Sequence, residues 1–259
     1  MKLTIYHIDA FAKRPFEGNP AAVIPLDKWL SDETMQSIAE ENGLPETAFY
    51  VPCTGGFHIR WFTPNKEVKL CGHATLASAF VLFNILGHES ESIKFDSLSG
   101  PLFVTRENSF LTLDFPMQQP QKCDLLEDII KGVGKTPSDC LKNEDYVVVF
   151  ENQEDVANII PNHDYLKKLP LRGVIVTAPS GKYDFVARFF APKYGIPEDP
   201  VTGSAYTQLA PYWAKKLGKK RLNAKQISSR GGEVICELKG DRVLISGSAI
   251  KYLEGSIEI

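Results

Sequence analysis

Three short stretches of the chain hold the side chains best suited to chemistry. Cys71-Gly72-His73-Ala74 places a thiol and an imidazole at the start of an apolar run that continues through Phe80-Val81-Leu82-Phe83 to Gly87. From Ala74 the run is apolar on every face, which predicts a fully buried helix. At about thirteen residues it is well short of the roughly 20 needed to span a membrane. Gly87 is its expected stop. Polar groups at the N-terminus of such a helix make a candidate anion site, because the free N–H groups point outward there. A core helix with a satisfied histidine is the plainer reading of the same residues.

The second stretch, Glu198-Asp199-Pro200-Val201-Thr202-Gly203-Ser204-Ala205, reads as another helix start. Asp199 can cap it, Pro200 suits a first helical turn, and Gly203 lets a ligand approach the backbone. The third is Glu46, set between Pro45 and Thr47-Ala48-Phe49 at the start of an apolar strand. A carboxylate there is suited to taking up and returning a proton. The local sequence leaves an exposed loop glutamate equally open.

The first two stretches are copies of one another. RWFTP at 60–64 returns as RFFAP at 188–192, and CGHA at 71–74 returns as TGSA at 202–205, in the same order and at nearly the same offset. Two matches in register predict a duplicated chain, with a slightly longer loop in the second copy. Two such lobes would face their helix starts across a cleft and hold an anionic substrate from both sides. Ser204 repeats the position of His73, and Thr202 that of Cys71. A racemase with one thiol on each side is thereby excluded, since a threonine hydroxyl is no base near neutral pH.

Other chemistries lack their signatures. There is no P-loop and no strand-linked G-x-G-x-x-G. His7, His58, His73, His88 and His163 show no metal spacing, and no cysteine pair supports zinc. No G-x-S-x-G elbow points to a serine hydrolase. The remaining expectation is acid–base chemistry on a small carboxylic acid, with no cofactor and no metal.

The elements that must position these residues are mostly strands. Expected strands are 3–8, 21–24, 48–51, 57–62, 93–95, 102–105 and 110–115, then 146–150, 173–178 and 184–190, with three or four more ending at Ile257. Ser31 caps a helix that Asn42-Gly43 closes, and another helix lies near 125–130. Thr54-Gly55-Gly56 is a hairpin turn. Pro116 to Gln121 breaks both periodicities and is the expected linker. The fold class is therefore α+β, with lobes at 1–116 and 117–259, each a curved sheet wrapped around a helix, the last strand free to return to the first lobe.

Composition adds mainly exclusions. With 43% hydrophobic and 24% charged residues and a net charge of −3, the chain is an ordinary globular protein without the basic surface of a nucleic-acid binder. Lys219-Lys220-Arg221 is simply matched to the end of a helix. Five scattered cysteines and an N-terminus without a signal-peptide core predict a reducing, cytoplasmic setting.

Several motifs together resemble the PhzF-like isomerases of the diaminopimelate epimerase fold. They are HIDAF at 7–11, FEGNPAAV at 16–23, PETAF at 45–49, RWFTP at 60–64, LCGHATLASA at 70–79, DPVTGSA at 199–205, APYWAKKLG at 210–218 and SRGG at 229–232. The resemblance implies two similar lobes with the site between them, and a homodimer. It makes Glu46 the acid–base residue that moves a proton between carbons, with His73 and Asp199 orienting groups or relaying protons. It places Gly72, Gly203, Ser204 and Asn19 around the substrate. The tail Gln226-Ile227-Ser228-Ser229-Arg230-Gly231-Gly232 departs from the phenazine enzyme's pattern, so no phenazine pathway is implied. A non-catalytic binder of small acids, or an epimerase with Glu46 as sole base, are the alternative expectations.

Overall fold

A computed structural model describes all 259 residues. In chain order its elements begin β1 (Lys2–Ala10), β2 (Asn19–Pro25), α1 (Asp32–Asn42), β3 (Glu46–Cys53), β4 (Gly56–Phe62), β5 (Glu67–Val68), α2 (Gly72–Phe80), β6 (Ser92–Ser97), β7 (Gly100–Glu107) and β8 (Phe110–Pro116). There follow β9 (Gln121–Lys122), α3 (Glu127–Val133), β10 (Asp139–Lys142), β11 (Tyr146–Val149), α4 (Gln153–Ala157), α5 (His163–Leu166), β12 (Val174–Pro179), β13 (Phe185–Ala191) and β14 (Ile196–Asp199). The chain closes with α6 (Tyr206–Leu217), β15 (Arg221–Gln226), β16 (Gly232–Lys239), β17 (Arg242–Gly247) and β18 (Ala249–Glu258). Residues 1–114 and 246–259 form one compact unit and residues 115–245 the other.

In the first unit β1 pairs antiparallel with β2 and with β18. The β2–β3 pair is parallel, β3–β4 antiparallel, β4–β6 parallel, and β6–β7 and β7–β8 antiparallel. The second unit repeats these senses: β10–β11 antiparallel, β11–β12 parallel, β12–β13 antiparallel, β13–β15 parallel and β15–β16 antiparallel. The order of senses is the duplication written in hydrogen bonds.

Local chemistry explains the element ends. Ser31 accepts from the Thr34 N–H and caps α1, and Gly43 ends it at φ 60°. Thr54-Gly55 makes a two-residue turn, since Cys53 pairs with Gly56 and Gly55 sits at φ 81°. The helix expected from Ala74 to Gly87 has two parts, α-helical to Phe80 and π-helical over Val81–Ile85, before Gly87 at φ 70°. Residues His73 through Ala79 are all buried, against β1, β2 and β3 among others. The two hydroxyls among them are satisfied within the helix: Thr75 Oγ1 donates to the Cys71 carbonyl at 2.6 Å and Ser78 Oγ to that of Ala74 at 2.8 Å. The first unit also buries Ile24, Met35, Phe49 and Phe62 beneath α1, and the second has its own cluster around Ile129, Val148, Val176 and Phe190. Each such side chain contributes roughly 1.5–3 kcal/mol on burial.

The second helix start differs from the expected one. A single 3-10 turn spans Gly203–Ala205 and α6 begins only at Tyr206, so Pro200 lies outside the helix and Asp199 is the last residue of β14, not a cap. Short β5, β9, β10, β14, α4 and α5 carry too few residues for a periodicity to show.

Candidate active site

In the first unit, elements far apart in sequence bring four polar side chains together. Glu46 opens β3, where parallel pairing sets it beside Ala21 of β2. Asn19 opens β2 opposite Ala10. Its position depends on Gly18, at φ 67°, where a Cβ would lie 2.1 Å from the Ala10 carbonyl oxygen. Only glycine fits such a turn. Cys71 and His73 come from the start of α2, with Gly72 as its first residue.

The geometry centres on His73. Nε2 lies 3.1 Å from Glu46 Oε2, with His73 5% and Glu46 9% exposed. The two atoms are close but not aligned as a hydrogen bond, so each keeps bonding capacity for a third group. On the other side of the ring, Nδ1 lies 3.2 Å from Asn19 Nδ2 and 3.5 Å from Cys71 Sγ. In the neutral ring, Nδ1 accepts from the Asn19 amide and the proton sits on Nε2, the nitrogen on the Glu46 side. In the imidazolium, Nδ1–H needs an acceptor, which the Cys71 sulfur or a half-turn of the Asn19 amide supplies.

Charge favours the imidazolium. Burial works against it, but the Cys71 sulfur and the Glu46 carboxylate outweigh that and hold the His73 pKa well above its ordinary value. Burial first, and then the Glu46 charge, push the Cys71 thiol up. The Glu46 carboxylate faces the ring at Nε2 and the Cys71 sulfur faces it at Nδ1. The donor atoms of Glu46, Cys71 and His73 lie within 4.8 Å of one another, a spacing that could hold a metal ion.

In the second unit Asp199, Gly203 and Ser204 are held by a different network. Thr202 Oγ1 donates to Asp199 Oδ2 at 2.6 Å. Gln226 accepts from the Thr202 N–H at 2.9 Å and donates to the Asp199 carbonyl at 2.8 Å, clamping both ends of the turn. Ser204 Oγ accepts from Arg172 Nη1 at 3.0 Å. Arg172 in turn grips the fully buried Asp145, Nε to Oδ1 at 2.9 Å and Nη2 to Oδ2 at 2.5 Å, and Gln208 donates to the same carboxylate at 2.9 Å. Sequence reasoning missed Arg172, Asp145 and Gln208, which sit in three unrelated segments without a local motif. Gln226 lies in the quoted tail stretch but carries no signal of its own.

The duplication predicted from RWFTP and RFFAP extends to side chains. Arg60 holds Glu67 through two bonds, at 2.7 and 2.8 Å, and Arg188 holds Glu198 the same way, at 2.7 and 2.9 Å. Glu67 and Glu198 are separated by the same offset as the two helix starts at Cys71 and Thr202. Each guanidinium also lies over the phenylalanine two positions on, Phe62 at 5.2 Å and Phe190 at 5.0 Å.

The fold is an α+β duplication of the diaminopimelate epimerase-like type. The fold is shared with a hydroxyproline epimerase of Agrobacterium vitis, at a TM-score of 0.64 and 9% identity over 99% of this chain and 92% of that one. The chain belongs to the phenazine biosynthesis-like protein family, whose model matches residues 8–255. A Pseudomonas aeruginosa protein named an uncharacterized isomerase is 50% identical over the whole of both chains. A crystal structure of a PhzF-family phenazine biosynthesis protein from Enterococcus faecalis superposes with a TM-score of 0.98 at 46% identity, again over all of both chains.

Proposed function

We propose that the protein is a cofactor-independent isomerase of small carboxylic acids in which Glu46 moves a proton between carbons. The observation that carries this is the buried Glu46–His73 pair, 3.1 Å apart with bonding capacity left on both atoms. A carboxylate base beside an imidazolium offers the two protonation states that such a reaction needs at one time. Glu46 removes a proton from a carbon next to a double bond or carboxylate, and the electron pair moves into the conjugated system. The proton returns to a different carbon, so nothing is gained or lost overall. His73 Nε2–H supports the negative charge that develops, and Asn19 fixes the ring. Isomerase names among the relatives agree with this class of reaction.

In the first unit Gly72 serves as a backbone N–H donor to the acid; in the second, Gly203 offers its N–H and Ser204, held by Arg172, its hydroxyl. Asp199 orients or relays protons through Thr202. The test is deuterium incorporation from heavy water into a panel of small unsaturated and hydroxylated carboxylic acids. Wild type should label at least one of them, and Glu46→Gln should label it on the order of 10²–10⁴ times more slowly. Equal labelling by the two proteins would overturn the assignment.

A further inference from the structure

A second cluster of ligand-type side chains lies on the first unit, away from His73. Cys53 ends β3, His58 lies in β4 and Asp96 in β6. Register puts all three on one face of the sheet. His58 and Asp96 are direct partners across the parallel β4–β6 pair. Cys53 is the partner of Gly56, and Gly56 and His58 share a face two positions apart. Gly56 has no side chain to stand between the thiol and the imidazole. The other face of the same strands is tied down by Tyr50, Phe57 and Phe95, whose rings meet at 5.4 to 6.4 Å. The platform beneath the three ligands is thus fixed, while His58 is exposed and Cys53 and Asp96 half-buried, open to ions from solvent.

The ligand atoms of Cys53, His58 and Asp96 all lie within 4.8 Å of one another, and Cys53 Sγ is 3.8 Å from Asp96 Oδ2. Bonds of about 2.3 Å to sulfur and 2.0–2.2 Å to nitrogen and oxygen bring tetrahedral ligands close to such spacings. One sulfur, one nitrogen and one oxygen suit a borderline-soft ion better than calcium or magnesium. We propose that Cys53, His58 and Asp96 form a binding site for a zinc-type divalent cation, with a fourth position left to water. On binding, the Cys53 S–H proton passes to solvent and the thiolate becomes the ligand. Lys94 opposes this, because its Nζ sits 2.8 Å from Asp96 Oδ1 and adds positive charge beside the ion.

Cobalt(II) added to the full-length, reduced protein is the probe, because a thiolate ligand gives it a charge-transfer absorption that zinc then displaces. Wild type should show that band. Cys53→Ser should abolish it, and His58→Gln should weaken binding by at least about tenfold, both with unchanged circular dichroism in metal-free buffer. Cys71→Ser should leave the band intact, which separates this site from the Glu46–His73 cluster. Lys94→Met should tighten binding. No thiolate band in wild type, a band that survives Cys53→Ser, or one lost with Cys71→Ser would overturn the proposal. None of these outcomes depends on the isomerase reading.

Discussion

His73 is pulled in opposite senses, by burial toward the neutral ring and by its neighbours toward the charged one, and the neighbours win. Its folded pKa therefore lies above the ordinary value near 6.5, so the folded state binds this proton more tightly than the unfolded chain. The resulting stabilisation is complete below about pH 6.5 and is lost as pH rises through the folded pKa. His73→Gln should accordingly destabilise most at mildly acidic pH, by about 3–5 kcal/mol if the Glu46 carboxylate is left buried without its partner. Urea unfolding of both proteins across pH 6 to 10 checks this, and a gap that widens with pH would contradict it. At this scale the sequence was partly readable. PETAF and CGHA mark Glu46 and His73 as unusual polar residues in apolar settings. Their approach is a tertiary event, since a strand start and a helix start well separated along the chain meet only in the folded unit.

Among elements, the repeated arginine–glutamate pairs ask why one motif is used twice. Each guanidinium bridges two strands of its own unit, β4 to β5 and β13 to β14, just before the chain turns toward a helix start. The copies are not equal in burial. Arg188 also donates to the carbonyls of Val156 and Ile159, at 3.1 and 2.8 Å, whereas Arg60 reaches the exposed Asp32. Arg188→Ala strands buried acceptors and a carboxylate and should cost about 3–5 kcal/mol. Arg60→Ala, with its acids nearer solvent, should cost on the order of 1 kcal/mol beyond lost packing. Equal shifts in urea midpoint would show that burial does not set the difference. Gly18→Ala is the matching backbone prediction: a clash with the Ala10 carbonyl at φ 67° should unseat Asn19 and cut activity along with stability. Strands and the α1 cap follow from alternation and Ser31. The late start of α6 was not legible, because Asp-Pro is a common helix opening and only the bonds from Gln226 and Thr202 show that it serves a turn here.

For the whole molecule, duplication was the most informative thing in the sequence. Two short echoes forecast a duplicated chain, and the two units share one succession of parallel and antiparallel pairs. What they could not forecast is chemical divergence between copies. Cys71 and His73 face a carboxylate, while Thr202 and Ser204 are held by an amide and a guanidinium. The five thiols along the chain provide a test of which copy, and which group, is reactive. Cys53 and Cys123 are partly exposed; Cys71, Cys140 and Cys236 are buried, and burial pushes their thiols up, Cys140 to about 12. Only the thiolate is alkylated, so burial and a raised pKa both slow the reaction. Iodoacetamide on the native, metal-free protein at pH 8, read by peptide mass spectrometry, should label Cys53 and Cys123 first. Cys71 should react only as the protein unfolds, with Cys140 and Cys236. Labelling of Cys71 as fast as Cys53 under native conditions would place a reactive thiolate at the start of α2. Catalysis would then have to be reassigned from the Glu46 carboxylate to that sulfur.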